Sequence, residues 1–167
     1  QHVVDNLERI AKVDLPAIDQ IVPSEKKEYY RNKLEFTFSN NRWITREEMD
    51  ASEEKVFKNG LGFHIPRRFD RILDIDHCYL QPDPSNAIRL AVNEYAHENE
   101  LAYFDLVKQE GLLRNMIIRT ANTGQLMVIV QFFDHDQEQI EKLMQFLKEK
   151  FPEITSLNYI INQKGND

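Results

Sequence analysis

Residues 116–133 read Met116-Ile117-Ile118-Arg119-Thr120-Ala121-Asn122-Thr123-Gly124-Gln125-Leu126-Met127-Val128-Ile129-Val130-Gln131-Phe132-Phe133. Two β-rich runs flank Ala121-Asn122-Thr123-Gly124, with a glycine where positive φ would be needed, so the stretch predicts a β-hairpin. Downstream, Asp136 and Gln139 have capping-box spacing, and Ile140, Leu143, Met144, Leu147 and Phe151 form a helical stripe closed by Lys148, Lys150 and Pro152. Leu157, Tyr159 and Ile161 then alternate as a last strand. A right-handed crossover makes that strand parallel to 126–133, so a place beside 116–120 would make every neighbour antiparallel, and this order is expected. The fold class is α+β: a mostly antiparallel sheet with helices packed on one face, preceded by an N-terminal helical arm.

Working back along the chain, Leu34, Phe36 and Phe38 alternate with Glu35 and Thr37, and Asn40-Asn41 precedes Arg42-Trp43-Ile44, which predicts a strand and hairpin. Glu47 to Glu54 holds five acidic residues and no basic one, a pattern that suits a solvated excursion, with Gly60 marking the return. Leu61, Phe63 and Ile65 share a strand face, and Ile72 to Ile75 forms a further short apolar segment after Arg67-Arg68-Phe69-Asp70-Arg71. Asp83-Pro84 suits the N-cap and first position of a helix whose face is Ile88, Ala91, Val92 and Tyr95. At the start, Val3, Leu7, Ile10 and Ala11 share a helical face, and Leu15-Pro16 and Val22-Pro23 punctuate a connector. Residues 1–27 therefore read as helix and connector, and 28–167 as the α+β domain. A sequence that opens inside a helical pattern and closes on the polar run Asn162 to Asp167 reads as a piece of a longer protein.

Composition narrows the function classes. The chain has 167 residues, 41% of them apolar and 29% charged, enough for one core without disulfides. One cysteine excludes a disulfide framework, a four-cysteine zinc site and a complete iron–sulfur cage within the chain. With 21 Lys and Arg against 28 Asp and Glu the net charge is −7, so contact with RNA must be local. No apolar run approaches the roughly 20 residues that span a bilayer, and no signal-peptide pattern opens the chain, which reads as cytoplasmic with no membrane partner.

No phosphate loop, nucleophile elbow or zinc-protease motif is present, and Gly60-Leu61-Gly62 lacks the third glycine of a dinucleotide fingerprint. Cys78, in Asp76-His77-Cys78-Tyr79-Leu80, reads as a small residue at a strand end; as a nucleophile it has only His77 beside it, which points elsewhere if the segment is extended. His64, His77, Cys78, His135 and Asp136 lack metal-ligand spacing. The charge is uneven. Lys26, Lys27, Arg31, Lys33, Arg42 and Arg46 outweigh Glu28 and Glu35 and are interleaved with Tyr29, Tyr30, Phe36, Phe38 and Trp43, while Arg67, Arg68 and Arg71 form a second cluster. Guanidinium forks beside aromatic faces suit the phosphates and splayed bases of RNA; the plainer reading makes Phe36, Phe38 and Trp43 core and the charges a solvated surface.

Tyr30-Arg31-Asn32-Lys33-Leu34-Glu35-Phe36-Thr37-Phe38, Leu61-Gly62-Phe63-His64, Ile72-Leu73-Asp74-Ile75-Asp76-His77-Cys78-Tyr79-Leu80, Leu113-Arg114-Asn115-Met116-Ile117-Ile118-Arg119 and Thr123-Gly124-Gln125-Leu126-Met127-Val128 follow one another in that order. The ordered series covers nearly all of the chain and resembles the middle of the RNA (uracil-5-)-methyltransferase family, of the RumA and TrmA kind. The resemblance implies a central domain, inactive alone, of an S-adenosylmethionine-dependent enzyme. Its substrate would be 23S rRNA in preference to tRNA. Cys78 matches the family's fourth [4Fe–4S] ligand, and the other three cysteines would lie immediately before Gln1. The methyl-donor glycine motif, the nucleophilic cysteine and the general base would all lie beyond Asp167. Arg31 and Lys33 match the basic stretch at which the family contacts RNA, and Leu34-Glu35 departs from the further arginines of some relatives. With Arg67 and Arg68 they make up the expected RNA-binding set. The other expected partners are the catalytic domain of the same chain and a second copy, through residues 3–11. Two readings from other classes compete: a non-enzymatic module that docks a protein through the first helix, and a small metal-dependent hydrolase using His64, His77 and Cys78.

Overall fold

A computed structural model describes residues 2–51 and 56–165. In chain order the strands are β1 (Lys33–Ser39), β2 (Gly60–Ile65), β3 (Arg68–Leu73), β4 (Leu113–Thr120), β5 (Leu126–Phe132) and β6 (Ser156–Ile161). The helices are α1 (His2–Asp5), α2 (Arg46–Ala51), α3 (Ser85–Glu98) and α4 (Gln137–Lys150). The strands form one sheet in the order β3-β2-β1-β4-β5-β6.

The sheet's two faces follow from period-2 alternation and register. Leu34 lies opposite Ile118 and Ile118 opposite Val128; in the next row Phe36, Met116 and Val130 line up the same way. These rows and Phe38 are buried in one cluster with Ile88, Ala91 and Val92 of α3 and Ile140, Leu143 and Leu147 of α4, so both helices cover the same face. Each fully buried aromatic or aliphatic side chain of that cluster contributes about 1.5–3 kcal/mol. The opposite face carries Lys33, Glu35 and Thr37 on β1, across from Arg119, Ile117 and Asn115 on β4.

The expected α+β class is found, with corrections. The last strand lies beside β5 and parallel to it, not beside β4. The far edge of β4 is already taken by β1, paired from Lys33–Arg119 to Thr37–Asn115, so the crossover through α4 leaves β6 only the outer edge of β5. The partner of β1 on its other side is β2, not the Arg42–Ile44 segment. That segment turns away, with the Arg42 amide bonded to Lys58 O at 2.8 Å and the Trp43 amide to Ile72 O at 2.7 Å. β3 runs from Arg68 into the Ile72 segment, and as an edge strand it carries the charges of Arg68, Asp70 and Arg71 ahead of the buried Ile72. α3 begins at Ser85 behind Pro84, and Asp83 gives no side-chain cap; the Ser85 amide closes on Pro82 O and the Ser85 hydroxyl bonds Gln81.

Other local readings hold. Asp136 caps α4 by accepting the Gln139 amide at 3.1 Å, and Gly124 takes φ +90° in the β4–β5 turn. Gly62 answers to packing: a Cβ there would sit 1.9 Å from Leu73 O, so the neighbouring strand approaches only because the side chain is absent. The acidic excursion is exposed but begins as helix. Thr45 and Glu48 form a reciprocal capping box, Thr45 N–H to Glu48 Oε2 at 2.8 Å and Glu48 N–H to Thr45 Oγ1 at 3.2 Å, and Arg42 Nη2 reaches Glu48 Oε1 at 2.7 Å. Residues 52–55 of the acidic run lie outside the described residues. At the N-terminus α1 passes into a π-helical turn at Asn6–Ile10 with no buried residue, Val3 being 70% and Ile10 77% exposed. Among the described residues no helix is long and apolar enough to cross a membrane.

Candidate functional site

Strand direction decides where the sequence-predicted basic residues meet. β1 runs antiparallel to β2 and to β4, so its first residue, Lys33, lies at the end where β2 passes through the Pro66-Arg67 turn and where β4 finishes. Arg67, at φ +66°, and Arg68 belong to that turn and the start of β3. β1 pairs with β2 from Thr37–Gly62 to Ser39–Gly60, and the Pro66-Arg67 turn lies beyond that paired stretch. Arg31 joins the same end through the backbone: its amide bonds Leu80 O at 2.9 Å, and Asn32 O accepts the Thr120 amide at 2.9 Å. Arg31, Lys33, Arg67 and Arg68 are all exposed.

They are not equally available. Arg68 grips Asp70 with Nε–Oδ1 at 3.2 Å and Nη2–Oδ2 at 3.3 Å, and this pairing holds the Asp70 carboxyl below its usual range. Lys33 Nζ lies 3.3 Å from Glu35 Oε2. Arg31 and Arg67 make no ion pair among the described residues. The sequence reading missed Arg119, which stands directly opposite Lys33 in the β1–β4 register and is exposed. Its only sequence signal is its place at the end of a strand, and pairing is needed to set it beside Lys33. Of the interleaved aromatics, Phe36 and Phe38 are core, whereas Tyr29, Tyr30 and Trp43 are exposed, with Arg71 stacked 5.8 Å above the Trp43 ring.

The Asp74–Leu80 segment is held by one buried cation. Arg89, 0% exposed on α3, donates to Leu61 O at 3.0 Å, Asp74 Oδ1 at 3.2 Å, Asp76 O at 3.4 Å and Asn86 Oδ1 at 3.2 Å, and also to Ile75 O. Burial pushes the Asp74 carboxyl above its ordinary value while Arg89 pulls it back. Beyond this clamp Cys78 turns inward, 4% exposed, and His77 and Tyr79 turn out to solvent. Tyr29, in the left-handed backbone region at φ +54°, donates its amide to Tyr79 O at 2.7 Å.

The geometry separates the hydrolase triad. His64 Nε2 lies 3.1 Å from Thr37 Oγ1 on β1, His77 Nε2 lies 3.1 Å from the Tyr29 hydroxyl, and Cys78 is in the core. Among the described residues no group of three His, Cys, Asp or Glu side chains could hold a metal ion. A [4Fe–4S] cluster needs four thiolates or their equivalents and this chain supplies one, so its residues alone cannot hold the group.

No family model matches the chain. Among curated proteins it is 53% identical over 170 residues to an uncharacterized RNA methyltransferase of Bacteroides thetaiotaomicron, across 100% of this chain and 37% of that protein. It is 49% identical to one of Porphyromonas gingivalis, again across 100% of the chain and 37% of the relative. A third, from Chlorobaculum tepidum, is 32% identical across 98% of the chain and 35% of its own length. The chain thus spans little more than a third of the curated relatives it matches. Among solved structures, the tRNA (uracil-54, C5)-methyltransferase of Pyrococcus abyssi in complex with S-adenosyl-L-homocysteine superposes with a TM-score of 0.61 at 19% identity, over 98% of this chain and 33% of that one. That likeness shows a shared fold.

Proposed function

This chain belongs to the family of RNA methyltransferases that these relatives represent, and we propose that it forms the RNA-presenting central part of an S-adenosylmethionine-dependent 23S rRNA uracil-5 methyltransferase of the cytoplasm. The observation that carries the reading is the convergence of Arg31, Lys33, Arg67 and Arg119 on one end of the sheet. Such an enzyme must take its target base out of the stack, and a basic floor holds the displaced strand while it does so. The chain's own residues bind and orient RNA. Methylation at carbon 5 needs a thiolate that adds at C6 and a base that removes the C5 proton; Cys78 is buried against the core and matches neither role. S-adenosylmethionine, when bound, supplies the methyl group, and the residues for it belong to the remaining length of the relatives. By resemblance Cys78 is the fourth iron–sulfur ligand of the whole protein.

Two measurements test the proposal. The full-length protein should release tritium from 23S rRNA labelled at uracil carbon 5 and leave tRNA untouched, and residues 1–167 alone should release none. Binding of single-stranded RNA should weaken with salt at a slope of about −2 to −3 in log K against log salt, from about 0.7 per phosphate contact over three to four contacts. Arg31→Ala with Lys33→Ala should flatten that slope. An unchanged slope would remove the RNA role from this end of the sheet.

A further inference from the structure

Beside the basic end stands a cluster of rings that none of the basic residues explains. His77 and Tyr79 project to the same side because they alternate around the inward Cys78, and their centroids are 4.5 Å apart in an edge-to-face arrangement. Tyr29 completes the cluster, 6.2 Å from Tyr79 and 6.4 Å from His77. Three solvated rings in mutual contact are costly to leave bare, and Tyr79 is 58% exposed. The Tyr29 hydroxyl and His77 Nε2 bond each other at 3.1 Å. What remains open is the ring faces.

We propose that Tyr79, with His77 and Tyr29 behind it, is a stacking site for one unpaired base of the substrate RNA, the strand's phosphates lying on Arg31, Lys33 and Arg119. This deepens the function proposed above and rests on it. Two observations favour a base as the occupant. The site is tied to the basic end by the backbone, Tyr29 and Arg31 donating to Tyr79 O and Leu80 O at 2.7 and 2.9 Å, so a strand crossing Arg31 passes the rings. The nearby charges divide the labour: Glu28 and Asp83 act on Tyr29 and repel phosphate, which leaves this spot to the uncharged part of a nucleotide. Stacking of this kind tolerates any base, because every base has a π-face.

The test uses the full-length protein and a single-stranded RNA dodecamer from the methylated region, together with copies in which one position at a time is abasic. Tyr79→Leu should weaken binding of the intact dodecamer about tenfold without changing the salt slope, and Tyr79→Phe should bind within about twofold of the unaltered protein. One abasic position should reproduce the loss in the unaltered protein and cost nothing further in Tyr79→Leu. His77→Leu should fall between, and thermal midpoints should be unchanged for all three variants. If Tyr79→Leu binds normally while Arg31→Ala with Lys33→Ala flattens the slope, the stacking site is overturned and the basic end stands. Absence of RNA binding by the unaltered protein overturns both. A Tyr79→Leu variant that binds RNA normally but loses a protein partner would make the rings a protein contact instead.

Discussion

Replacing Arg89 by Met tests the clamp behind the site. The guanidinium is fully buried and reaches Leu61 O, Ile75 O, Asp76 O and the Asp74 carboxylate, so the substitution keeps volume but strips donors from a buried carbonyl and a cation from a half-buried carboxylate. An unmatched buried acceptor costs about 1–3 kcal/mol, and removing one partner of a buried ion pair about 3–5 kcal/mol. Asp74 keeps a 20% exposed side chain and Asn93 Nδ2 at 3.3 Å, which places Arg89→Met near the lower end, about 3 kcal/mol at neutral pH. The cost should depend on pH with a definite sign. Burial already raises the Asp74 carboxyl above its ordinary 3.8, and without Arg89 it rises further. Below the unfolded value the group is protonated in both states and its share of the penalty vanishes; as pH climbs through the folded value the penalty appears in full. Urea unfolding followed by circular dichroism at about pH 3, below the unfolded value, and at pH 7 follows the penalty between these limits. A loss below about 1 kcal/mol at neutral pH, or one that grows toward acid, would refute the account of Arg89 as the donor that fixes this loop.

The other predictions concern separate elements. Gly62→Ala should cost about 3 kcal/mol or more, since its Cβ would meet Leu73 O at 1.9 Å and the strands cannot part without breaking their ladder; the urea midpoint reads it. Hydrogen bonding from Arg42 holds the Glu48 carboxyl at about 2, so the N-terminus of α2 keeps its cap above about 4.5 and loses it as pH falls toward 2. Amide protection factors at residues 46–51, taken relative to the intrinsic exchange rate at each pH, should fall over that range, and at neutral pH in Glu48→Ala. Val3→Ser with Ile10→Ser should leave the unfolding free energy within about 0.5 kcal/mol, both side chains being bare, while reducing any self-association seen by sedimentation.

How far the fold could be read from sequence depended on whether a signal was local. The β4–β5 hairpin and α4 carry their turn glycine, their cap and their apolar stripes within a short stretch, and they form as read. The position of β6 is not a local property. It depends on which strand occupies the far edge of β4, and that strand, β1, comes about eighty residues earlier. β3 was obscured for a different reason: Arg68, Asp70 and Arg71 look like a loop until it is known that the strand lies at the edge of the sheet. In the acidic stretch, net charge drew attention away from the Thr45 and Glu48 spacing, although that capping box sets the start of α2.

The candidate site was legible in the same partial way. Composition marked a basic run from Lys26 to Arg46, and it was the family resemblance that singled out Arg31 and Lys33; neither gave the value of Arg68, because Asp70 two residues on occupies its fork. Arg119 needed the register and Tyr79 needed its neighbours. The alternation that turns His77 away from Cys78, and so weakens the case for a catalytic thiol, is also what sets two rings side by side on the surface. A net charge of −7 does not oppose this arrangement, because screening confines each surface charge to about 8 Å at physiological salt and RNA at the end of the sheet responds to the charges within that distance. The acidic residues of α2 and the N-terminal half of α4 belong to other elements, whereas the proposed RNA-binding end of the sheet carries Arg31, Lys33, Arg67 and Arg119, with Glu35 paired to Lys33. Local geometry, set by the antiparallel run of β1 between β2 and β4, therefore outweighs the sum over the chain.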